Sequence, residues 1–216
     1  NMLDVTYRAI KVLKDLKFLL VEDTRRTSKL LNEYNAFPKM IVYNDINKQK
    51  VIPKIIDILK SYNVGIVSDA GTPLISDPGY KLVRECIFNK VKVVPIPGPS
   101  SLLAAITTSG LPTDKFVFEG FLPKKKGRNT RLEFLKSEDR SIVIYESPER
   151  LFKTIGDIFN FLGDRPLVVC RELTKLHEEI WRGKTSEALI FFKEKKIKGE
   201  LTLIVGKNSI KTNFIN

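Results

Sequence analysis

Two segments combine Gly and Pro in a way suited to holding a small ligand. The first, residues 68–79, reads Ser-Asp-Ala-Gly-Thr-Pro-Leu-Ile-Ser-Asp-Pro-Gly and follows directly on the apolar run 64–67. Gly71 and Gly79 permit positive φ or close backbone approach, Pro73 and Pro78 stiffen the loop, and Asp69 and Asp77 accept hydrogen bonds from hydroxyls or amines. The second, residues 95–101, reads Pro-Ile-Pro-Gly-Pro-Ser-Ser and leads into a stretch of small residues that a serine would cap. A Gly/Pro cluster after a strand also serves as a plain turn, and Ser100 and Ser101 also serve as caps alone. Two such loops at the carboxyl ends of parallel strands, where open α/β sheets form ligand crevices, favour a shared pocket. No Gly-x-Gly-x-x-Gly and no Gly-x-x-x-x-Gly-Lys-Ser/Thr occurs, which disfavours the common dinucleotide and phosphate-loop folds.

These loops need a sheet to hold them. Apolar spacing predicts helices over 7–13, 27–34, 50–61, 80–89 and 100–109, alternating with strands over 18–21, 40–43, 64–67 and 91–95. Such alternation specifies a mostly parallel sheet covered by helices, the α/β class. The turn-forming run Gly110-Leu111-Pro112-Thr113-Asp114 breaks the pattern and sets a domain boundary, giving domains over 1–112 and 113–216. Beyond it, strands are predicted over 116–118, 142–145, 167–170, 179–182 and 201–206, and helices over 128–136, 151–162 and 186–192. The closing residues 207–216 read as a frayed tail.

Composition excludes some classes. A chain of 216 residues that is 43% hydrophobic has ample material for a buried core. No apolar run approaches the ~20 residues that span a bilayer, and no signal peptide opens the sequence, so a soluble, cytoplasmic protein without a membrane partner is expected. Cys86 and Cys170 sit in apolar patterns without Cys-x-x-Cys spacing, which reads as two buried thiols and no metal site. The excess of 37 Lys and Arg over 25 Asp and Glu, a formal charge of +12, suits a polyanionic partner. Lysine-rich composition alone produces the same excess.

Six motifs carry a family resemblance. Val21-Glu22-Asp23-Thr24-Arg25, the 68–79 segment, Pro97-Gly98-Pro99-Ser100, Phe118-Glu119-Gly120-Phe121-Leu122-Pro123, Tyr145-Glu146-Ser147-Pro148-Glu149-Arg150-Leu151 and Arg171-Glu172-Leu173-Thr174-Lys175 occur in order along nearly the whole chain. Together they resemble the ribosomal RNA small-subunit methyltransferase I family, part of the tetrapyrrole methylase superfamily. The resemblance implies a two-domain α/β fold, with a mostly parallel sheet in the first domain and a mixed sheet in the second. It also implies S-adenosyl-L-methionine in the interdomain cleft, a homodimer, and 2′-O-methylation of a cytidine in small ribosomal subunit RNA. It places Thr72, Pro73, Leu74, Ile75, Ser100, Ser101, Leu102 and Tyr145 at the cofactor. The family pattern includes a strand and a Pro-x-Gly-Asn turn of which this sequence matches only Asn1, so a central strand is expected to lie outside it. The pattern also extends beyond 201–206 in many members.

Under that resemblance the cofactor's sulfonium is already an electrophile, and the protein has to align the ribose oxygen, exclude water and accept a proton. Carboxylates at motif positions are the natural acceptors: Asp23, Glu146 and Glu172, with Glu22, Asp69 and Asp77 beside them. Each also suits a salt bridge or an N-cap. Arg25, Arg26, Arg150, Arg171 and Lys175 could hold phosphates or neutralise those carboxylates. The run Lys124-Lys125-Lys126-Gly127-Arg128 reads as an RNA-guiding loop or a solvated one. His177 is read as a surface or strand-edge residue. Competing readings are a tetrapyrrole methyltransferase, a Mg²⁺-dependent phosphohydrolase using Glu22, Asp23, Asp69 and Asp77, and a non-catalytic RNA-binding remnant.

Overall fold

In the computed structural model, which describes residues 1–207, each short apolar run becomes a strand wherever a neighbour exists to pair with it. The chain divides into two units, Asn1–Ser100 and a second that begins at Ser101. The first contains α1 (Tyr7–Asp15), β1 (Phe18–Val21), α2 (Thr24–Glu33), β2 (Lys39–Val42), α3 (Lys48–Leu59), β3 (Val64–Ile66) and α4 (Tyr80–Phe88). Its sheet has the order β2-β1-β3 and is parallel throughout, with Leu20 opposite Ile41 on one side and Ile66 on the other. Strand side chains alternate between faces. Leu19 and Val21 therefore join Leu13, Leu31 and Ala36, while Leu20 joins Tyr43, Ile55, Leu82 and Cys86 on the opposite face.

One predicted strand is absent. Residues 91–95 run without regular structure, and Val93 and Val94 are 47% and 57% exposed. Strand β3 pairs with β1 alone, so this apolar run has no described strand beside it to complete a ladder. The carbonyls of Pro95 and Pro97 instead accept bonds from Arg8 Nη2 and Thr6 Oγ1, both at 3.3 Å.

The second unit opens with α5 (Ser101–Thr108) and continues through β4 (Phe116–Phe121), α6 (Arg128–Lys136), β5 (Ser141–Glu146), a 3-10 turn at Pro148–Arg150 and α7 (Leu151–Leu162). It closes with β6 (Pro166–Arg171), β7 (Glu179–Lys184), α8 (Thr185–Phe191) and β8 (Leu201–Val205). The mixed sheet has the order β4-β5-β8-β6-β7, in which only β4 and β5 are parallel. Ile142, Ile144, Leu167, Val169, Leu203 and Val205 meet α6, α7 and α8 on one face. Val143, Val168, Cys170 and Ile204 meet Ala105 and Ile106 of α5 on the other. Leu111 packs into that second cluster, so the turn at 110–114 lies inside this unit and the unit starts at Ser101. Arg182 ties α5 to the sheet by donating to the carbonyls of Thr108 at 2.6 Å and Ser109 at 3.2 Å.

Both thiols are free and buried, and burial pushes Cys170 up to about 12. Among the described residues, no helix is long and apolar enough to cross a membrane. Of the expected tail, residues 208–216 lie outside the described residues.

Arg165 is 2% exposed and donates to three carbonyls: Leu162 O at 3.1 Å, Glu138 O at 2.9 Å and Lys136 O at 2.7 Å. One guanidinium thus closes the carboxyl ends of α6 and α7, where a cation also suits the helix dipoles. Replacing it orphans three acceptors. Arg165→Met is expected to lower unfolding free energy by about 2–4 kcal/mol in urea titrations, and Arg165→Lys to recover only part of that, because an ammonium lacks the planar fork.

Candidate functional site

In the first unit, β3 delivers the chain into the 68–79 loop, whose backbone is unusual. Gly71, Leu74, Ser76 and Gly79 have φ of 71°, 72°, 65° and 149°. For Leu74 and Ser76 this conformation costs on the order of 1–3 kcal/mol each, so the surrounding structure must hold it. Gly79 is part of that hold, because a Cβ there would sit 2.6 Å from the Leu74 side chain. Ile75 N donates to Thr72 O at 3.3 Å, and Ser68 Oγ to Ala70 O at 3.1 Å. Thr72 Oγ1 reaches across to Pro99 O at 3.0 Å, joining the two Gly/Pro loops. The two loops are thus neighbours, although no strand leads into the second. Thr72 is exposed, and Pro73, Leu74 and Ile75 are half-buried.

Carboxylates gather where β1 and β3 end. Asp23 N donates to Asp69 Oδ1 at 3.2 Å, Asp69 N lies 3.4 Å from Glu22 Oε1, and Arg26 Nε lies 3.6 Å from Asp69 Oδ2. Asp23 caps α2 through Arg25 N at 2.8 Å and also receives the Arg25 guanidinium at 3.0 and 2.6 Å. The Arg25 side-chain bond first, and its backbone bond second, pull Asp23 down to about 2. Glu22 moves the opposite way: burial, then the charge of Asp77, raise its pKa, with the Asp69 N–H a smaller opposing influence. Among the described residues, no group of three or more His, Cys, Asp or Glu is placed to hold a metal ion.

The second unit assembles a different set. Ser101 Oγ donates to Tyr145 Oη at 3.1 Å, and the Tyr145 ring packs edge-on against Phe118 and Phe121, with centroids at 5.0 and 5.7 Å. Leu102 packs beside them against the α5 face of the sheet. Glu146, its side chain fully buried, accepts from Ser147 N at 2.7 Å and Thr154 Oγ1 at 2.5 Å, and pairs with Arg150 Nη2 at 2.6 Å. Arg150 also donates to Leu122 O at 3.1 Å. Arg128 is not on the basic loop surface that its run suggested. It is 4% exposed and donates to Asp157 at 2.7 Å, Thr154 Oγ1 at 2.8 Å and Pro123 O at 3.1 Å. Lys124, Lys125 and Lys126 are exposed.

Glu172, at φ 48°, accepts from Lys175 Nζ and Glu200 N, both at 2.8 Å, and these bonds, the lysine's first, lower its pKa. Lys175 also reaches Glu200 at 3.1 Å, and Arg171 Nε pairs with Glu179 at 3.0 Å. His177 is exposed. Sequence reasoning missed Thr154, Asp157 and Glu200 as partners. These partners lie 8, 29 and 28 residues from Glu146, Arg128 and Glu172, so no local spacing announces them.

The family model described as Tetrapyrrole (Corrin/Porphyrin) Methylases matches residues 1–189. The chain belongs to this methylase family. Among curated members, proteins named Ribosomal RNA small subunit methyltransferase I are similar to it. The one from Thermotoga maritima is 49% identical, over 95% of this chain and 93% of the relative. That from Halalkalibacterium halodurans is 45% identical over 98% and 74%, and that from Escherichia coli O157:H7 is 42% identical over 95% and 73%. Solved structures share the fold at low identity. A cobalt precorrin-4 methyltransferase of cobalamin biosynthesis matches with a TM-score of 0.69 at 16% identity, covering 95% of this chain and 90% of that one. Uroporphyrin-III C-methyltransferase from Thermus thermophilus, complexed with S-adenosyl homocysteine, matches with 0.64 at 18%, covering 94% and 91%. The expected α/β fold of the methylase family, with a parallel and a mixed sheet, is thus present.

The Asp23 cap gives a signed pH effect. Its folded pKa, about 2, lies below the ordinary 3.8, so its ionised form stabilises the fold fully above about pH 4 and that contribution is lost as pH falls through about 2. Thermal melts of Asp23→Asn are expected to show a shallower loss of stability between pH 4 and 2 than those of the parent.

Proposed function

We propose that the protein is an S-adenosyl-L-methionine-dependent methyltransferase whose acceptor is the ribose 2′ oxygen of a cytidine in small-subunit ribosomal RNA. The observation that carries this is the identity of 49% to the Thermotoga maritima relative over nearly the full length of both chains. The charge of +12 favours a polyanionic acceptor. Likeness to tetrapyrrole-modifying enzymes stands at 14–18% identity and extends to fold alone. A homodimer, implied by the family resemblance, belongs to the same proposal and is read by light scattering.

The Thr72 to Ile75 stretch is assigned to the cofactor: the loop backbone is left-handed at Gly71, Leu74 and Ser76, and half-buried Pro73, Leu74 and Ile75 offer apolar surface to an adenosyl group. When bound, the cofactor supplies an electrophilic methyl group on sulfur. The chain's own residues then have to orient a ribose and take up its proton. Asp23, held ionised by Arg25, is a weak acceptor. Glu146 is committed to Arg150 and Thr154, and Glu172 to Lys175 and Glu200 N. We assign proton acceptance to Glu22, whose surroundings favour the protonated form. Exposed Arg25, Lys124, Lys125 and Lys126 offer charge to RNA phosphates, with Arg150, Arg171 and Lys175 holding nearby carboxylates.

Labelled methyl from S-adenosylmethionine is expected to enter small ribosomal subunits that lack the modification and to be recovered as 2′-O-methylcytidine after digestion. Absence of ribose label at saturating cofactor would overturn the reading. Glu22→Gln is expected to slow transfer by about a hundredfold or more while cofactor affinity measured by calorimetry stays near the parent's. It is also expected to raise stability at neutral pH. A carboxyl with a raised folded pKa loses stability as pH climbs from its ordinary 4.5 through that folded value, and the amide does not.

A further inference from the structure

The second unit carries a basic groove that the cofactor and carboxylate assignments leave unused. It has a volume of about 420 Å³ between the ends of β6 and β7 and the segment that precedes β8. Arg171, Lys195, Lys196 and Lys198 line it, with His177 at its side and Glu179 as its one carboxylate. That carboxylate is already paired with Arg171 at 3.0 Å. Lys195 Nζ stands 3.2 Å from the centroid of the Phe191 ring, which aligns its stem, and Lys196 and Lys198 have no ion-pair partner among the described residues. Small-molecule sites of this size are lined mostly by apolar side chains. Here Ile197 is the single apolar contributor.

The walls are fixed relative to each other. Glu172 N donates to Glu200 O at 3.0 Å, Glu200 N returns a bond to Glu172 Oε1 at 2.8 Å, and Arg171 Nη1 reaches Lys198 O at 3.4 Å. Gly199, at φ 94°, lets the segment pass against Glu172, whose side chain would collide with any Cβ there. The cations are consequently held along a groove and do not wander on a loose tail. Several lysines along one open groove, two of them without an ion-pair partner among the described residues, suit an extended polyanion better than a single compact anion.

We propose that this groove is an RNA-contact site separate from the 124–126 run, taking the phosphodiester backbone of a single-stranded segment. The choice of RNA as the polyanion rests on the proposed function. The test is fluorescence anisotropy with a labelled single-stranded RNA of about 20 nucleotides across a KCl series, comparing the parent with Lys195→Gln/Lys196→Gln/Lys198→Gln. All three side chains are exposed, so folding is expected to survive, and circular dichroism checks it. Removing three phosphate contacts is expected to weaken binding on the order of tenfold near 0.1 M salt and to lower the slope of log affinity against log salt by about 2. Unchanged affinity and slope in the folded variant overturn the groove. Methyl transfer to ribosomal subunits is followed in parallel. A parent that binds RNA through these lysines yet labels no ribose sinks the methyltransferase reading and leaves the groove standing, whereas a parent that methylates while the variant binds RNA equally well sinks the groove alone.

Discussion

A carboxylate with no exposed side-chain surface is tolerable only inside a shell of donors, and in the second unit Glu146 is that carboxylate. Its shell reaches well beyond its neighbours. The Thr154 hydroxyl donates to Glu146 while accepting from Arg128, and Arg128 goes on to Asp157 and to the Pro123 carbonyl. Arg150 closes the other side and takes the Leu122 carbonyl. One connected set of charges thereby fixes the end of β5, the turn after it, the amino-terminal half of α7, the start of α6 and the chain leaving β4. Removing Arg150 would leave Glu146 buried without its ion-pair partner, at a cost of about 3–5 kcal/mol. Tyr145, adjacent on the strand, inherits its position from this arrangement.

The first unit places its loops by other means. Backbone conformation holds the 68–79 loop, and Asp69 fastens its start to Asp23 N and Arg26. Leu74 lies against Gly79, where any larger residue would displace it, and Thr72 is fastened to Pro99. The sheet beneath supplies the rigidity: Leu19, Leu20 and Val21 of β1 are at most 1% exposed, with helices over both faces. Conformational energy held in the loop is offset by that packing.

Local periodicity made most of this visible in the sequence. The alternation of apolar runs located sixteen of the elements because each run carries its own face pattern, as with Val143 against Ile142 and Ile144. The run at 91–95 has the composition of a strand, but a strand is completed by its neighbour, and composition says nothing of the neighbour. Arg128 failed for a related reason. It closes a run of lysines and looks like surface charge, whereas its partner, Asp157, is 29 residues away. The motif carboxylates Asp23, Glu146 and Glu172 were conspicuous, and their spacing to Arg25, Arg150 and Lys175 already hinted at pairing. The opposite shifts of Glu22 and Asp23, adjacent in sequence, depend on which one faces Arg25 and which one is buried near Asp77.

The position of β8 has a consequence for how the protein is made. It lies between β5 and β6 in the sheet although it follows both in the chain, with Ile142 opposite Val205 and Leu167 opposite that same valine. A ribosome therefore releases β5 and β6 each with one edge that has no final partner until residues 201–205 emerge. In the first unit, β1, β2 and β3 have all emerged by residue 66 and pair with one another without such a wait. Synthesis at about 5–20 residues per second leaves the two inner edges of β5 and β6 open for seconds while β4 and β7 cover the outer ones, the interval in which a chaperone has most to protect.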